Sequence, residues 1–352
     1  MSYRNSRFTI EKGTKDHSKE ILEILEEDSF DGDFSLIYTR RPDPIESYKS
    51  EGIDNLIIVC KDNKTGEVAG LGAVIIHELY IKKKINRVGY FTGLRIKKKF
   101  RYMPIPFKLG YQLLGDYCKE TNVKLIYTTI LKDNQKVIKM LTKKRKHFPD
   151  YNFLRDYKVA IIKTGLRKKK LNGFEFRKAS DADLVKLDEF VINNGYKRDF
   201  FPKLNVEELI DNFYIVLNVE REIVACGYVC DQRNYKQYIV TNYKGIYKVA
   251  SYVSKLLKHT KLPKLPDMGK IIKVFNLSNF LVESDDPVIR DYFLRNISNT
   301  KNNYDFFTFG TCNDERPKIP HILYESKVYL VSYDEMKYIN EFDSIHIECE
   351  HL

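Results

Sequence analysis

Apolar residues recur in two rhythms along this chain. Strand-like runs in which nearly every residue, or every second one, is apolar alternate with segments whose apolar residues fall three or four apart. Phe8–Lys12 reads as a short strand, and 16–27 reads as a helix with Ile21, Ile24 and Leu25 on one face. Polar, loop-like sequence follows, with a short helix over Pro44–Ser50. Asn55–Lys61 and Val68–Tyr80 are strands joined through the turn Asp62-Asn63-Lys64-Thr65-Gly66, and Arg87–Ile96 is the next strand. A helix over Ile105–Glu120, a strand over Val123–Ile130, a basic helix over Asn134–Lys144 and a strand over Asp156–Lys163 complete the first half.

After Arg167–Asn172, which reads as a linker, the order begins again. The second half has a strand at Phe174–Lys178, helices at Ala182–Asn193 and Val206–Asn212, and a hairpin from Tyr214–Glu220 and Glu222–Cys230. Lys236–Asn242 is a strand and Ile246–His259 a helix; Pro263 and Pro266 mark a break. Strand Lys270–Phe275, helix Asp286–Ser298 and strands Asp305–Gly310 and Lys327–Ser332 follow, and the tail from Asp334 reads as acidic and irregular. Similar order in two segments of similar length predicts a duplicated fold. The expected division is residues 1–168, residues 172–335, and an acidic tail over 336–352.

The chain has 352 residues, enough for about two domains. A formal net charge of +12 points to anionic partners, and several basic runs carry it: Lys82–Lys84, Lys97–Lys99, Lys143–Lys146 and Arg167–Lys170. The plain alternative is a solvated, Lys-rich surface. The 6 cysteines form no CxxC pair and the 7 histidines do not gather beside them, so neither structural zinc nor a disulfide framework is expected. The N-terminus has charges instead of a signal-peptide core, and no apolar stretch is long enough to span a membrane, so the expected compartment is the cytoplasm. Phosphate-loop, nucleophile-elbow and zinc-protease motifs are absent, and Asp31-Gly32-Asp33 lacks the later Glu of a calcium loop.

Residues 8–163 resemble the GCN5-related N-acetyltransferase (GNAT) superfamily. The likeness rests on element order and two partial motifs. Val88-Gly89-Tyr90-Phe91-Thr92-Gly93-Leu94-Arg95-Ile96, followed by a basic turn and an amphipathic helix, is similar to the family's central strand and pyrophosphate loop. Asn134 before a helix is similar to its later motif. The resemblance implies an α/β fold of two tandem GNAT-like domains, each a mixed, mostly antiparallel central sheet flanked by helices, the second degenerate. It also implies transfer of an acetyl or other acyl group from acetyl-CoA or another acyl-CoA to a small-molecule or protein amine acceptor, without a metal.

Carried over residue by residue, Leu94, Arg95, Ile96, Arg101, Tyr102, Met103, Ile105, Phe107 and Asn134 would bind cofactor. Pro104 and Pro106 stand where the family has glycines, which removes two N–H donors from the loop. Glu78 and His77, ending the third strand, would be the base, and Tyr151 the acid in place of the family's Tyr, since Leu141 and Thr142 stand there. The acidic run Glu283–Asp286 would repel pyrophosphate in the second half. Two other readings stay open: a catalytically degenerate GNAT-like scaffold, and a basic nucleic-acid binder. Nucleic acid is not an expected partner, because no RRM, KH or zinc-finger pattern is present and aromatic residues are spread evenly instead of pairing with the basic runs.

Overall fold

The computed structural model describes residues 2–30, 34–244, 266–312, 317–333, 342 and 344–352. The helix expected over Ile246–His259 and the Asp31-Gly32-Asp33 tripeptide lie outside these residues, as does part of the tail. In the first half the strands are β1 (Ser2–Arg4), β2 (Phe8–Lys12), β3 (Ser29–Phe30), β4 (Phe34–Thr39), β5 (Asp54–Asp62), β6 (Val68–Ile81), β7 (Lys84–Ile96), β8 (Leu125–Leu131) and β9 (Asp150–Lys163). The helices among them are α1 (Ser18–Glu26), α2 (Pro44–Lys49), α3 (Phe107–Glu120) and α4 (Gln135–Thr142). The second half has β10 (Glu175–Lys178), α5 (Leu184–Asn194), α6 (Val206–Leu209), β11 (Phe213–Leu217), β12 (Ile223–Cys230), β13 (Gln237–Tyr243) and β14 (Val274–Val282). It closes with α7 (Pro287–Thr300), β15 (Phe306–Thr311) and β16 (Ile322–Ser332).

Local chemistry explains several boundaries. Asp43 accepts from the Ile45 N–H at 2.9 Å ahead of α2, whose first residue is Pro44. Asp286 caps α7 in the same way at the Val288 N–H, 2.7 Å away, with Pro287 at the first helical position. In α1 the residues three and four apart, Ile21, Ile24 and Leu25, are buried against β5 and β6 residues such as Val59 and Ile75.

One 13-stranded sheet runs through both halves in the order β1-β2-β5-β6-β7-β8-β16-β9-β15-β14-β12-β11-β10. Most pairs are antiparallel, and helices cover its faces. Its centre is an exchange. β16, from the C-terminal end of the chain, lies between β8 and β9 of the first half, pairing Ser326 with Leu131 and Ile322 with Ile161. β9 in turn pairs with β15, Phe306 opposite Lys163. Each half therefore contributes a strand to the other's sheet.

The same local backbone pattern occurs once in each half. In the first half, β7 and β8 are parallel neighbours only over Val88–Tyr90 and Leu125–Tyr127, and then diverge. In the second, β14 and β15 are parallel only over Val274–Asn276 and Phe306–Thr308, and then diverge. Each diverging strand carries an extra residue on its antiparallel side. Ala73 faces Thr92 but Leu71 faces Arg95; Cys226 faces Leu281 but Tyr228 faces Ser278. Gly93 and Asn279 take positive φ at these bulges, 67° and 50°.

Several segments differ from the sequence expectation: Ser2–Arg4 forms β1, and the strand expected over Lys270–Phe275 runs over Val274–Val282 as β14. Two further differences bear on the site. Residues 34–39 form β4 instead of a loop, paired with β13 of the other half, Tyr38 opposite Tyr238, in a three-stranded sheet β13-β4-β3. Phe-Ser-Leu-Ile-Tyr-Thr alternates too weakly to declare a strand whose partner is about 200 residues away. The tail is the second. Ile345, Ile347 and Glu348 are buried, and the segment is bridged in parallel to Asp199, whose N–H donates to Ser344 O at 2.7 Å. Cys349–His351 forms a 3-10 turn within the body of the molecule.

Candidate functional site

Where β7 leaves β8 the sheet opens as a notch. Its apex is Tyr90 beside Tyr127, ring centroids 4.9 Å apart. Just beyond it, Thr128 Oγ1 donates to Phe91 O at 2.7 Å and the Tyr90 and Thr129 hydroxyls share a hydrogen bond of 2.8 Å. The bulge at Gly93 forms one wall. A Cβ there would lie 2.5 Å from the Tyr48 hydroxyl, and φ is left-handed. Gly93→Ala is expected to cost about 1–2 kcal/mol from the backbone alone, with a further loss from displacing Tyr48, which is 1% exposed. Urea denaturation with an unchanged m-value would measure it; a midpoint equal to wild type would refute the assignment.

Beside the apex lies a buried ionic cluster drawn from distant parts of the chain. Arg40, just after β4, donates to both carboxylate oxygens of Glu51 at 3.1 and 3.2 Å and stacks 3.8 Å from the Tyr48 ring. Lys236, from the β12–β13 connection, pairs with Glu51 at 3.3 Å. Its ammonium also donates to main-chain oxygens of Glu350, at 3.1 Å, and of Leu352. Burial alone would raise the Glu51 pKa, but Lys236 and Arg40 outweigh it and hold the carboxylate below its ordinary value. Burial also lowers the Lys236 pKa, with Glu51 acting against the shift.

The tail joins this cluster to the apex. His351 stacks on His77 with ring centroids 3.9 Å apart, and Leu352 packs in the apolar group formed by Leu79, Val88, Tyr90 and Tyr127. Glu348 accepts from the Asn279 N–H at 2.8 Å, at the second half's bulge, and meets His346 at 2.5 Å. Glu350 accepts from the Ser278 hydroxyl at 2.7 Å. Burial, and then repulsion from Glu348, pushes the Glu350 carboxyl up to about 7.

The residues singled out from sequence fall in different places. His77 is 6% exposed and lines the cluster; its Nε2 is buried and has no hydrogen-bond partner among the described residues. Burial holds its pKa down at about 4, so it is neutral at pH 7. Glu78, the next residue on the strand, points to the other face and pairs with Lys203 at 3.0 Å. Tyr151 lies on β9 within the first-half core and shares its hydroxyl with Tyr111 at 2.7 Å.

Leu94, Arg95 and Ile96 follow the bulge on β7. Leu94 is exposed, the Arg95 guanidinium lies 5.7 Å from the Tyr38 ring centroid, and Ile96 O accepts from Arg101 at 3.1 Å. Arg101 also pairs with Asp28, and Tyr102 is 96% exposed. The N–H groups of Met103, Ile105 and Phe107 donate to Phe100 O, Met103 O and Ile105 O, at 3.0, 2.8 and 2.8 Å. Each is therefore turned inward, into the loop. Asn134 caps α4 at the Val137 N–H, 3.3 Å away. Sequence reasoning did not single out Arg40, Glu51, Lys236 or Glu350. The one signal was the spacing His346, Glu348, Glu350 in the tail, alternate polar groups among apolar ones. Among the described residues no group of three or more His, Cys, Asp or Glu side chains is placed to hold a metal.

No family model matches the chain, and no curated protein matches it in sequence. Solved structures do match. A GCN5-related N-acetyltransferase from Sphaerobacter thermophilus superposes with a TM-score of 0.57 at 11% identity, covering 98% of this chain and 99% of that one. Saccharomyces cerevisiae N-myristoyltransferase with bound myristoyl-CoA gives 0.58 at 13% identity, over 93% of this chain and 79% of that one. A glucosamine N-acetyltransferase region of a fungal multi-domain β-N-acetylglucosaminidase gives 0.60 at 10% identity, over 93% of this chain and 38% of that one. The chain has a GNAT-like fold: a large, mostly antiparallel sheet flanked by helices.

Proposed function

We propose that this protein is an N-acyltransferase that moves an acetyl or other acyl group from acyl-CoA to an amine. The observation that carries this reading is the juxtaposition of the β7–β8 notch with a buried polar cluster that includes His77, whose Nε2 has no hydrogen-bond partner among the described residues. An orphaned polar atom at such depth costs free energy unless a ligand meets it. The notch is open in the direction of the basic turn Lys97–Arg101, so an acyl-CoA would lie with its phosphates toward that turn and its acyl end at the Tyr90–Tyr127 apex.

Bound acyl-CoA would supply an activated thioester. In direct transfer the amine nitrogen bonds to the thioester carbon, the carbon–sulfur bond breaks, and the departing thiolate takes up a proton. Glu350 serves as the base that accepts the proton lost by the amine, since a group with a pKa near 7 is ionised often enough and basic enough for the task. Neutral His77 holds the amine through Nε2, and Lys236 keeps the tail in place. The Tyr90–Thr129 hydroxyl pair lies nearest the apex and is the donor for the thiolate.

A second reading is a catalytically degenerate scaffold. The inward-turned N–H groups of the Pro104–Pro106 loop favour it, because they leave fewer donors for phosphate. Calorimetric titration with acetyl-, octanoyl- and myristoyl-CoA separates the two. Micromolar binding that survives moderate salt, weakened several-fold by Arg101→Ala, is expected for the enzyme. No heat with any acyl-CoA would leave the scaffold.

A further inference from the structure

The basic runs are dispersed along the sequence, but the fold gathers one of them onto aromatic residues. Lys168, Lys169 and Lys170 lie in the connection between β9 and β10, at the far edge of the second half. That connection, the edge strand β10 and the helix α7 enclose a groove of about 510 Å³, a size suited to a small organic ligand or a nucleotide or two. Five of the lining side chains are cationic and none is a carboxylate. Arg177 is already committed to Asp183, at 2.6 and 2.7 Å. Lys178 has only a loose exposed pairing with Asp211, at 3.5 Å. Lys168, Lys169 and Lys170 are exposed and make no ion pair among the described residues.

The floor is apolar. Phe176 stacks on Tyr214 at 5.6 Å, and half-buried Phe174 and Leu171 extend this surface toward the lysines. The connection is also fastened. Asn296 on α7 donates to Lys169 O at 3.2 Å, and Tyr292 donates to Phe174 O at 3.3 Å. The three ammonium groups thus hang from a backbone tied to the groove wall instead of from a free loop.

We propose that this groove binds single-stranded nucleic acid, the lysines following the phosphates and the apolar floor taking a base. Charge of one sign along a groove calls for a polyanion. Lysines act as point charges and can follow a phosphate chain without a fixed forked geometry. An apolar floor beneath a basic rim matches the alternation of phosphate and base. The groove shares no residue with the acyl-transfer site, and the proposal does not rest on that reading.

The test is fluorescence anisotropy of the full chain with a labelled 12-nucleotide oligothymidylate, a strand of equal length lacking its bases, and polyglutamate as competitor. Micromolar binding is expected, with log affinity falling against log salt at a slope of roughly −2 to −3, as three or four phosphate contacts imply. The strand without bases should bind about tenfold more weakly. Lys168→Glu/Lys169→Glu/Lys170→Glu should weaken binding at least tenfold, while Lys143→Glu/Lys144→Glu/Lys146→Glu should not. Equal binding of the two strands, equal loss in both triple variants, or displacement by polyglutamate at matched charge would each overturn the proposal. The substituted lysines are exposed, so an unchanged melting temperature is expected in both variants.

Discussion

Glu350→Gln is expected to lower the rate of acyl transfer roughly 10²- to 10⁴-fold, the usual contribution of a positioned general base, while leaving the protein folded. Glutamine keeps the shape of the side chain and can still meet the Ser278 hydroxyl, 2.7 Å away in the native protein. It cannot take a proton. In the native protein kcat/KM should rise with pH through about 7, where the Glu350 carboxyl ionises, and then level off. The variant should lack this rise.

Stability gives an independent check on the same residue. Because folding raises the Glu350 pKa to about 7, its contribution is full below the ordinary carboxylate value of about 4.5 and is lost as pH rises through 7. His77 works in the opposite sense: folding lowers its pKa to about 4, so stability falls as pH drops from about 6.5 toward 4. The two slopes oppose each other in the native protein. Glu350→Gln removes one of them, so the variant should be at least as stable as wild type at pH 8 and should lose stability more steeply below pH 6.5. Full activity in the variant, or an unaltered pH–rate limb, would remove Glu350 from the mechanism.

Glu51→Ala should be among the most destabilising single changes, by about 3–5 kcal/mol. The loss of a contact is the smaller part of this. Arg40 and Lys236 have side chains 1% and 3% exposed, and without Glu51 two like charges would remain buried close together. Among the described residues the Arg40 Nε has no hydrogen-bond partner, and the side-chain acceptors of the guanidinium are Glu51 and Ser47. The triple change Arg40→Met/Glu51→Leu/Lys236→Met should recover much of the stability, since an apolar replacement removes the charges together. It should not recover activity, because Lys236 also holds the main chain of Glu350. Urea denaturation of the single and triple variants measures both effects; a single variant within about 1 kcal/mol of wild type would show the cluster to be hydrated instead of dry.

Much of the architecture was legible in the sequence because it is set by short-range rules. The strand rhythm of Val68–Ile81, the helical spacing in α1 and α3, and the Pro-initiated helices α2 and α7 all follow from residues that are neighbours in the chain. The element order that begins again after Arg167 is likewise local; the notch and the bulges at Gly93 and Asn279 are not part of that pattern. The family resemblance singles out His77 together with Glu78 as candidates for the base, for their place at the end of the third strand. It is the structure that separates the two, turning Glu78 to the other face, toward Lys203.

Tertiary structure alone decided the rest, and in each case the deciding partner is remote. β4 is a strand because β13 pairs with it, and β16 belongs to the first half's sheet because the gap between β8 and β9 receives it. Arg40, Glu51 and Lys236 look like ordinary surface charges until two halves of the chain bury them together. Glu350 reads as part of a solvated acidic tail, and only its seat between Ser278, Glu348 and Lys236 makes it titrate near neutrality. Short-range preference fixes which segments are helix or strand. Burial, and the interactions of charges brought close by folding, depend on contacts that no local pattern encodes.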